Sequence, residues 1–154
     1  MIVRPFLRKD FDKLWDLAQK MWRESPAYQG IEISEEKLRR LGERILKSQE
    51  LCGFVAENGD GIQGFFAGFV SEYYFGNQNT ASDLALFVDP GKRGGRAAIL
   101  LIRAYEQWAR SHGVEEISLG ITTGVNQERT AQLYERLGYT KSGIICRKKI
   151  ERSA

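Results

Sequence analysis

The chain has 154 residues, 42% hydrophobic and 28% charged, with 23 cations against 20 anions and a formal net charge of +3. That length and balance describe one globular domain, residues 1–154, burying roughly two-thirds of its unfolded surface. They exclude the strongly basic face of a nucleic-acid binder, and no apolar stretch is long enough to span a bilayer.

The start "MIVRPFLRKDF" lacks a signal peptide's apolar middle, so a soluble cytoplasmic protein is expected. "IVRPF" reads as a short strand. Arg8 to Ser25 is predicted as a helix, because Phe11, Leu14, Trp15, Ala18, Met21 and Trp22 recur at steps of three and four before Pro26. A second helix starts at a Ser34 cap in "SEEKLRRLGERILKS", with Leu38, Leu41, Ile45 and Leu46 on one side. "LCGFVAE" and "GIQGFFAGFVSEYYF" read as two strands joined by the hairpin signal "NGDG".

"GNQNTAS" is then a polar loop, and "DLALFV" an interior strand. From Gly95 to His112 the chain is helical, with Ala97, Leu101, Ala104, Tyr105 and Trp108 on its apolar face. "VEEISLGI" is the next strand, Gln127 to Leu137 a helix closed by Gly138, and "YTKSGIICRKKI" supplies one or two final strands. Strands alternating with helices in the second half imply a right-handed crossover and an α/β fold with a mixed central sheet.

Scarce residues narrow the chemistry. There is one histidine, His112, placed in the last turn of a helix, where a cation suits the dipole. Cys52 and Cys146 form no CxxC pair, so no metal site is expected. Any catalysis would run without metal or histidine.

The informative stretch is "DPGKRGGRAAILL", Asp89 to Leu101. Backbone N–H groups in a helix's first turn lack partners and carry partial positive charge, so an anion is stabilised there. Gly94 and Gly95 allow close backbone approach, Ala97 and Ala98 keep the surface low, and Lys92, Arg93 and Arg96 add charge for a polyphosphate. The GxxxxGK[ST] and GxGxxG loops are both missing, which argues against ATP hydrolysis and dinucleotide binding. A plain glycine turn with solubilising arginines remains the alternative reading.

"LFVDPGKRGGRAAILLIRAYEQWARSHG" followed by "NQERTAQLYERLGY" resembles the GCN5-related N-acetyltransferase (GNAT) family. Its pyrophosphate loop, [Q/R]-x-x-G-x-[G/A], aligns with Arg93 to Ala98, except that Arg96 stands where the family usually has glycine. "LYERLGY" is similar to the family's common "LYEKLGF", and "IVRPFLRKDFDKLW" to its first strand and helix.

The resemblance implies a sheet in which "DLALFV" and "VEEISLGI" splay apart to admit the pantetheine arm of acetyl-coenzyme A. Backbone groups of Leu86, Phe87 and Val88 would pair with that arm, one N–H polarising the acetyl carbonyl. Arg93, Gly94, Gly95, Arg96, Ala97 and Ala98 would hold the pyrophosphate. By periodicity alone Tyr134 reads as a packing residue beside Thr130, Leu133 and Leu137; the resemblance implies instead that it is the family's tyrosine, a general acid for the departing sulfur. Asn126 is either a helix cap, a contact to the pantetheine arm, or both.

For the base, position alone offers Asp83, which begins the central strand, and Glu72, which ends the preceding one; a water chain is the alternative. Tyr73, Tyr74 and Phe75 either line the acceptor site or pack. The function implied is acetyl transfer to a primary amine of a small-molecule or protein acceptor. A non-catalytic acyl-coenzyme A-binding regulatory domain is the competing reading. "GIICRKKI" is suited to a homodimer contact.

Overall fold

The computed structural model describes residues 1–152; residues 153 and 154 of the expected domain lie outside the described residues. Five strands form one sheet in chain order: β1 Ile2–Pro5, β2 Leu51–Asn58, β3 Gly61–Glu72, β4 Asn79–Val88 and β5 Val114–Ser118. The first four run antiparallel, and β5 joins β4 in parallel. That change of direction requires a crossover, supplied by α3, Ala97–Ser111.

On one face lie α1, Phe11–Glu24, and α2, Glu35–Lys47, closing over Phe6, Phe11, Ile45, Val55 and Ala67. Ser34 caps α2 as its sequence predicts, accepting from the Lys37 N–H at 3.2 Å. The first residues of the predicted opening helix, Arg8–Asp10, form instead a single 3-10 turn, with the Asp10 carboxylate accepting from the Leu7 N–H. Asp10 is buried and takes two bonds from Arg4, which also holds Glu57 on β2. This cluster ties the start of the chain to the sheet.

The other face is covered by α3 through Ala97, Leu101, Tyr105 and Ala109, packed on Phe54, Phe66, Val70 and Ala81. Tyr105 is fully buried, stacked on Phe66 at 4.2 Å, and lies across Gly68, where a Cβ would come within 2.6 Å of its ring. Its hydroxyl is buried with no hydrogen-bond partner.

His112 is structural, as expected: its Nδ1 faces the Trp108 carbonyl and its Nε2 the Gln49 carbonyl, each at 2.8 Å. No group of three or more His, Cys, Asp or Glu that could hold a metal occurs among the described residues. No helix among them is long and apolar enough to cross a membrane.

Two expectations are corrected. Asn79–Ser82, read as polar loop, belongs to β4, because β3 on one side and β5 on the other satisfy its backbone. The closing strands of "YTKSGIICRKKI" do not form: 140–150 is irregular and exposed throughout. Extended chain becomes a strand only beside a partner edge, and none is paired with it here.

Candidate active site

The parallel ladder between β4 and β5 runs from Asn79↔Val114 to Ser82↔Ser118 and stops. Beyond it, Leu119–Ile121 leave the sheet, and Asp83–Val88 keeps a partner only on β3. The β3–β4 register slips here, Gly68 facing Asp83 and Ala67 facing Ala85, so β4 carries one extra residue. A bulge bends its strand and re-aims side chains, and this one sits where the sheet opens. The expected splay between "DLALFV" and "VEEISLGI" is therefore built by a short β5 and a bulged β4.

The opening leads into a cleft of about 620 Å³ between β4, the glycine loop, segment 120–126 and α4, Gln127–Arg136. Leu86, Phe87, Val88, Arg93, Gly94, Gly95, Ala97, Ala98 and Asn126 all line it, together with Asp83 and Tyr134. Gly94 adopts φ +88°, which only glycine takes without strain. Arg96 then occupies the N-cap position of α3 with no capping bond, leaving the first-turn N–H groups without side-chain partners. The Arg96 side chain is exposed and does not line the cleft, so the departure from glycine does not obstruct it.

Arg93 lines the cleft but is committed to partners within the chain. Its Nε donates to the Val88 carbonyl at 3.0 Å, its guanidinium pairs with Glu24 and lies 5.4 Å over the Phe87 ring. Lys20 on α1 likewise pairs with Asp89, and Lys92 with Asp60. These pairs fasten α1 and the β2–β3 turn to the glycine loop, fixing the loop before any ligand arrives. A cation the sequence reading missed is Arg129, whose guanidinium lies 4.0 Å from where a Cβ on Gly94 would sit. Its signal was its place in the first turn of α4, facing the loop across the cleft.

At the inner end two groups converge on Gly120. Asp83 Oδ1 accepts from the Gly120 N–H at 2.9 Å, and the Tyr134 hydroxyl lies 3.5 Å from the Gly120 carbonyl. Burial raises the Asp83 carboxyl above the usual carboxylate range, with the Gly120 N–H opposing. Tyr134 is only 7% exposed; burial first, and then the Asp83 charge, push its phenol upward, so it keeps its proton at neutral pH. A desolvated carboxylate and a protonated phenol thus meet on one residue.

Glu72 is not part of this arrangement. It is exposed and pairs in register with Asn79, at the opposite end of β4 from the cleft. Tyr73, Tyr74 and Phe75 follow it into the hairpin tip, away from the cleft, and pack on one another with ring centroids 5.5 Å (Tyr73–Phe75) and 5.0 Å (Tyr74–Phe75) apart. Asn126 holds the N-cap position of α4 but makes no capping bond, because its φ of +46° departs from the extended geometry a capping side chain uses. Asn is there because it tolerates the left-handed conformation.

Comparison with known proteins agrees with this architecture. Residues 11–139 match the model of the acetyltransferase (GNAT) family. No curated protein matches the chain by sequence. Among solved structures, a point mutant of the BH1408 protein from Bacillus halodurans superposes with a TM-score of 0.79 at 18% identity, covering 98% of this chain and 100% of that one. The aminoglycoside acetyltransferase AAC(6')-Iy, bound to a coenzyme A bisubstrate analogue, gives 0.75 at 19% identity, with 97% and 98% covered. AAC(6')-IG of Acinetobacter haemolyticus gives 0.72 at 18%, with 98% and 100% covered.

A five-stranded mixed sheet that opens beside the N-terminus of α3 is the fold shared with these acetyltransferase structures. The chain belongs to the GNAT family and is an N-acetyltransferase whose donor is acetyl-coenzyme A.

Proposed function

We propose that the chain acetylates a primary amine of a small, cationic acceptor by direct attack, with Asp83 as general base and Tyr134 as general acid. The observation that carries this reading is the meeting of a desolvated carboxylate and a proton-bearing phenol on one residue, Gly120, beside the sheet opening. An alkylammonium loses its proton only near pH 10.4, so a base beside the acceptor is needed for the nitrogen to attack at neutral pH.

In this reading the glycine loop and Arg129 hold the diphosphate, and the free backbone of Leu86, Phe87 and Val88 aligns the pantetheine arm as a substitute strand. A β4 N–H polarises the acetyl carbonyl while the amine nitrogen, its ammonium proton already released through Asp83 to solvent, bonds to the carbonyl carbon and passes its second proton to Asp83. As the carbon–sulfur bond breaks, Tyr134 gives its proton to the sulfur, and Asp83 returns one to Tyr134 through solvent. Asn126 contributes a polar contact to the arm. The aminoglycoside enzymes among the solved structures make an amino sugar a sensible first acceptor to try.

The test measures thiol release from acetyl-coenzyme A over an aminoglycoside, a polyamine, an amino acid and a lysine peptide, beside a calorimetric titration of acetyl-coenzyme A. Turnover is expected with a small-molecule amine. Tight binding with no turnover on any class replaces this reading with the non-catalytic regulatory domain.

A further inference from the structure

Three strands line up at the bulge of β4. Cys52 on β2, Gly68 on β3 and Asp83 on β4 are cross-strand partners in one row. Directly opposed residues of antiparallel strands carry their side chains on one face, with Cβ atoms roughly 5 Å apart. The middle member of this row has no side chain, and Tyr105 from α3 fills the place of one. A Cβ on Gly68 would come within 2.6 Å of the Tyr105 ring and 3.0 Å of the Ser82 carbonyl on β4. The ring is therefore the cross-strand neighbour of Asp83 that β3 itself does not supply.

That ring is anchored. Tyr105 is fully buried and stacks on Phe66 at 4.2 Å and on Trp108 at 5.9 Å. Trp108 packs in turn 4.3 Å from the His112 ring, whose two nitrogens face the carbonyls of Trp108 and Gln49. Asp83 needs such an anchor, because regular ladder bonding ends at it on both sides. β5 leaves the sheet after Ser82, and the β3 register slips between Asp83 and Ala85. The titratable groups around Asp83 are Tyr134 from α4, Tyr105 from α3 and, across the row, Cys52 from β2. No cation pairs with it among the described residues, so its proton affinity is a balance between apolar cover and the Gly120 N–H.

We infer that Tyr105 is a positioning residue for the transfer step: its ring, seated on Gly68, holds the β4 bulge in place and covers the Asp83 carboxylate. The inference rests on the reading of Asp83 as the base. Tyr105 does not line the cleft, so it acts through Asp83 and touches no reacting group. The ring carries the role; the hydroxyl, buried without a hydrogen-bond partner, has no part in it.

The test reads Asp83 directly. In the full chain, nuclear Overhauser contacts should join the Tyr105 ring protons to the Asp83 β-protons, and the Asp83 carboxyl carbon should titrate above the ordinary carboxylate range. Absent contacts overturn the inference whatever the variants do. Tyr105→Leu removes the ring, and Gly68→Ala displaces it. In both, the carboxyl should titrate closer to the ordinary range with coenzyme affinity unchanged. Their kcat should fall about 10²-fold, the loss expected for a misplaced catalytic group. Tyr105→Phe keeps the ring and should give the wild-type titration and rate. A phenylalanine variant that loses either one transfers the role to the hydroxyl and overturns the inference. So does a folded Tyr105→Leu or Gly68→Ala chain with the wild-type titration. In the Asp83→Asn background Tyr105→Leu should cost no further rate, since its effect passes through the carboxylate; an additive loss counts against it. Asp83→Asn with wild-type rate refutes the base instead, and the Overhauser contacts and titration still decide whether the ring seats the carboxylate.

Discussion

Replacing Asp83 by Asn isolates its charge from its shape. The amide is isosteric and its oxygen still accepts the Gly120 N–H now held at 2.9 Å, so the bulge and the sheet opening persist. What disappears is a basic carboxylate. General base catalysis contributes typically 10²- to 10⁴-fold, or about 2.7–5.4 kcal/mol of barrier at 1.36 kcal/mol per decade. A loss in kcat/KM of that size is expected, with the affinity for acetyl-coenzyme A unchanged.

Stability should move the other way. Burial raises the folded-state pKa of Asp83, so the native state binds its proton more tightly than the unfolded chain does. The ionised group then destabilises the fold once pH exceeds its raised native value, and this penalty fades below about pH 3.9, where both states are protonated. Asp83→Asn should therefore be neutral or stabilising in urea melts at pH 7 and lose any advantage toward pH 3. In wild-type pH–rate profiles the acidic limb should lie above the ordinary carboxylate range, and in the variant it should vanish. A variant with wild-type kcat/KM, or one that keeps the acidic limb, refutes the base assignment. A clear loss of stability at pH 7 refutes the desolvation argument.

Tyr134→Phe should lower kcat by at least about 10²-fold, as loss of a general acid predicts. Its melting temperature and coenzyme affinity should hardly change, because the hydroxyl makes only one long contact, 3.5 Å, to Gly120; an unchanged kcat would leave the ring as packing. Gly94→Ala forces a side chain onto φ +88° and should cost about 1–2 kcal/mol in a denaturant melt. Gly95→Ala meets its nearest neighbour at 3.8 Å and should leave stability intact while weakening coenzyme binding in calorimetry, so equal affinity would displace the loop from the diphosphate site. Tyr105→Phe removes the orphaned buried hydroxyl and should raise stability by about 1 kcal/mol; a drop would reveal a partner for that oxygen.

Local sequence determined the elements whose causes are local. The recurrence of Phe11, Leu14, Trp15, Ala18, Met21 and Trp22 at steps of three and four, the Ser34 cap, the turn at Gly59 and Asp60, and Gly138 after α4 each carry their own instruction. The glycine loop was legible for the same reason, since a left-handed Gly94 before an apolar helix is written in neighbouring residues. Proximity across the chain was not legible. Asp83 and Glu72 looked equally placed, and only the antiparallel register, which sets Glu72 against Asn79, sends one to the cleft and the other to the far edge. Arg93 read as a phosphate ligand until Glu24, 69 residues earlier, was brought beside it. "GIICRKKI" has the pattern of a strand, but pattern decides only which face a residue takes; a strand also needs an edge to bond, and that edge is supplied by tertiary or quaternary contacts.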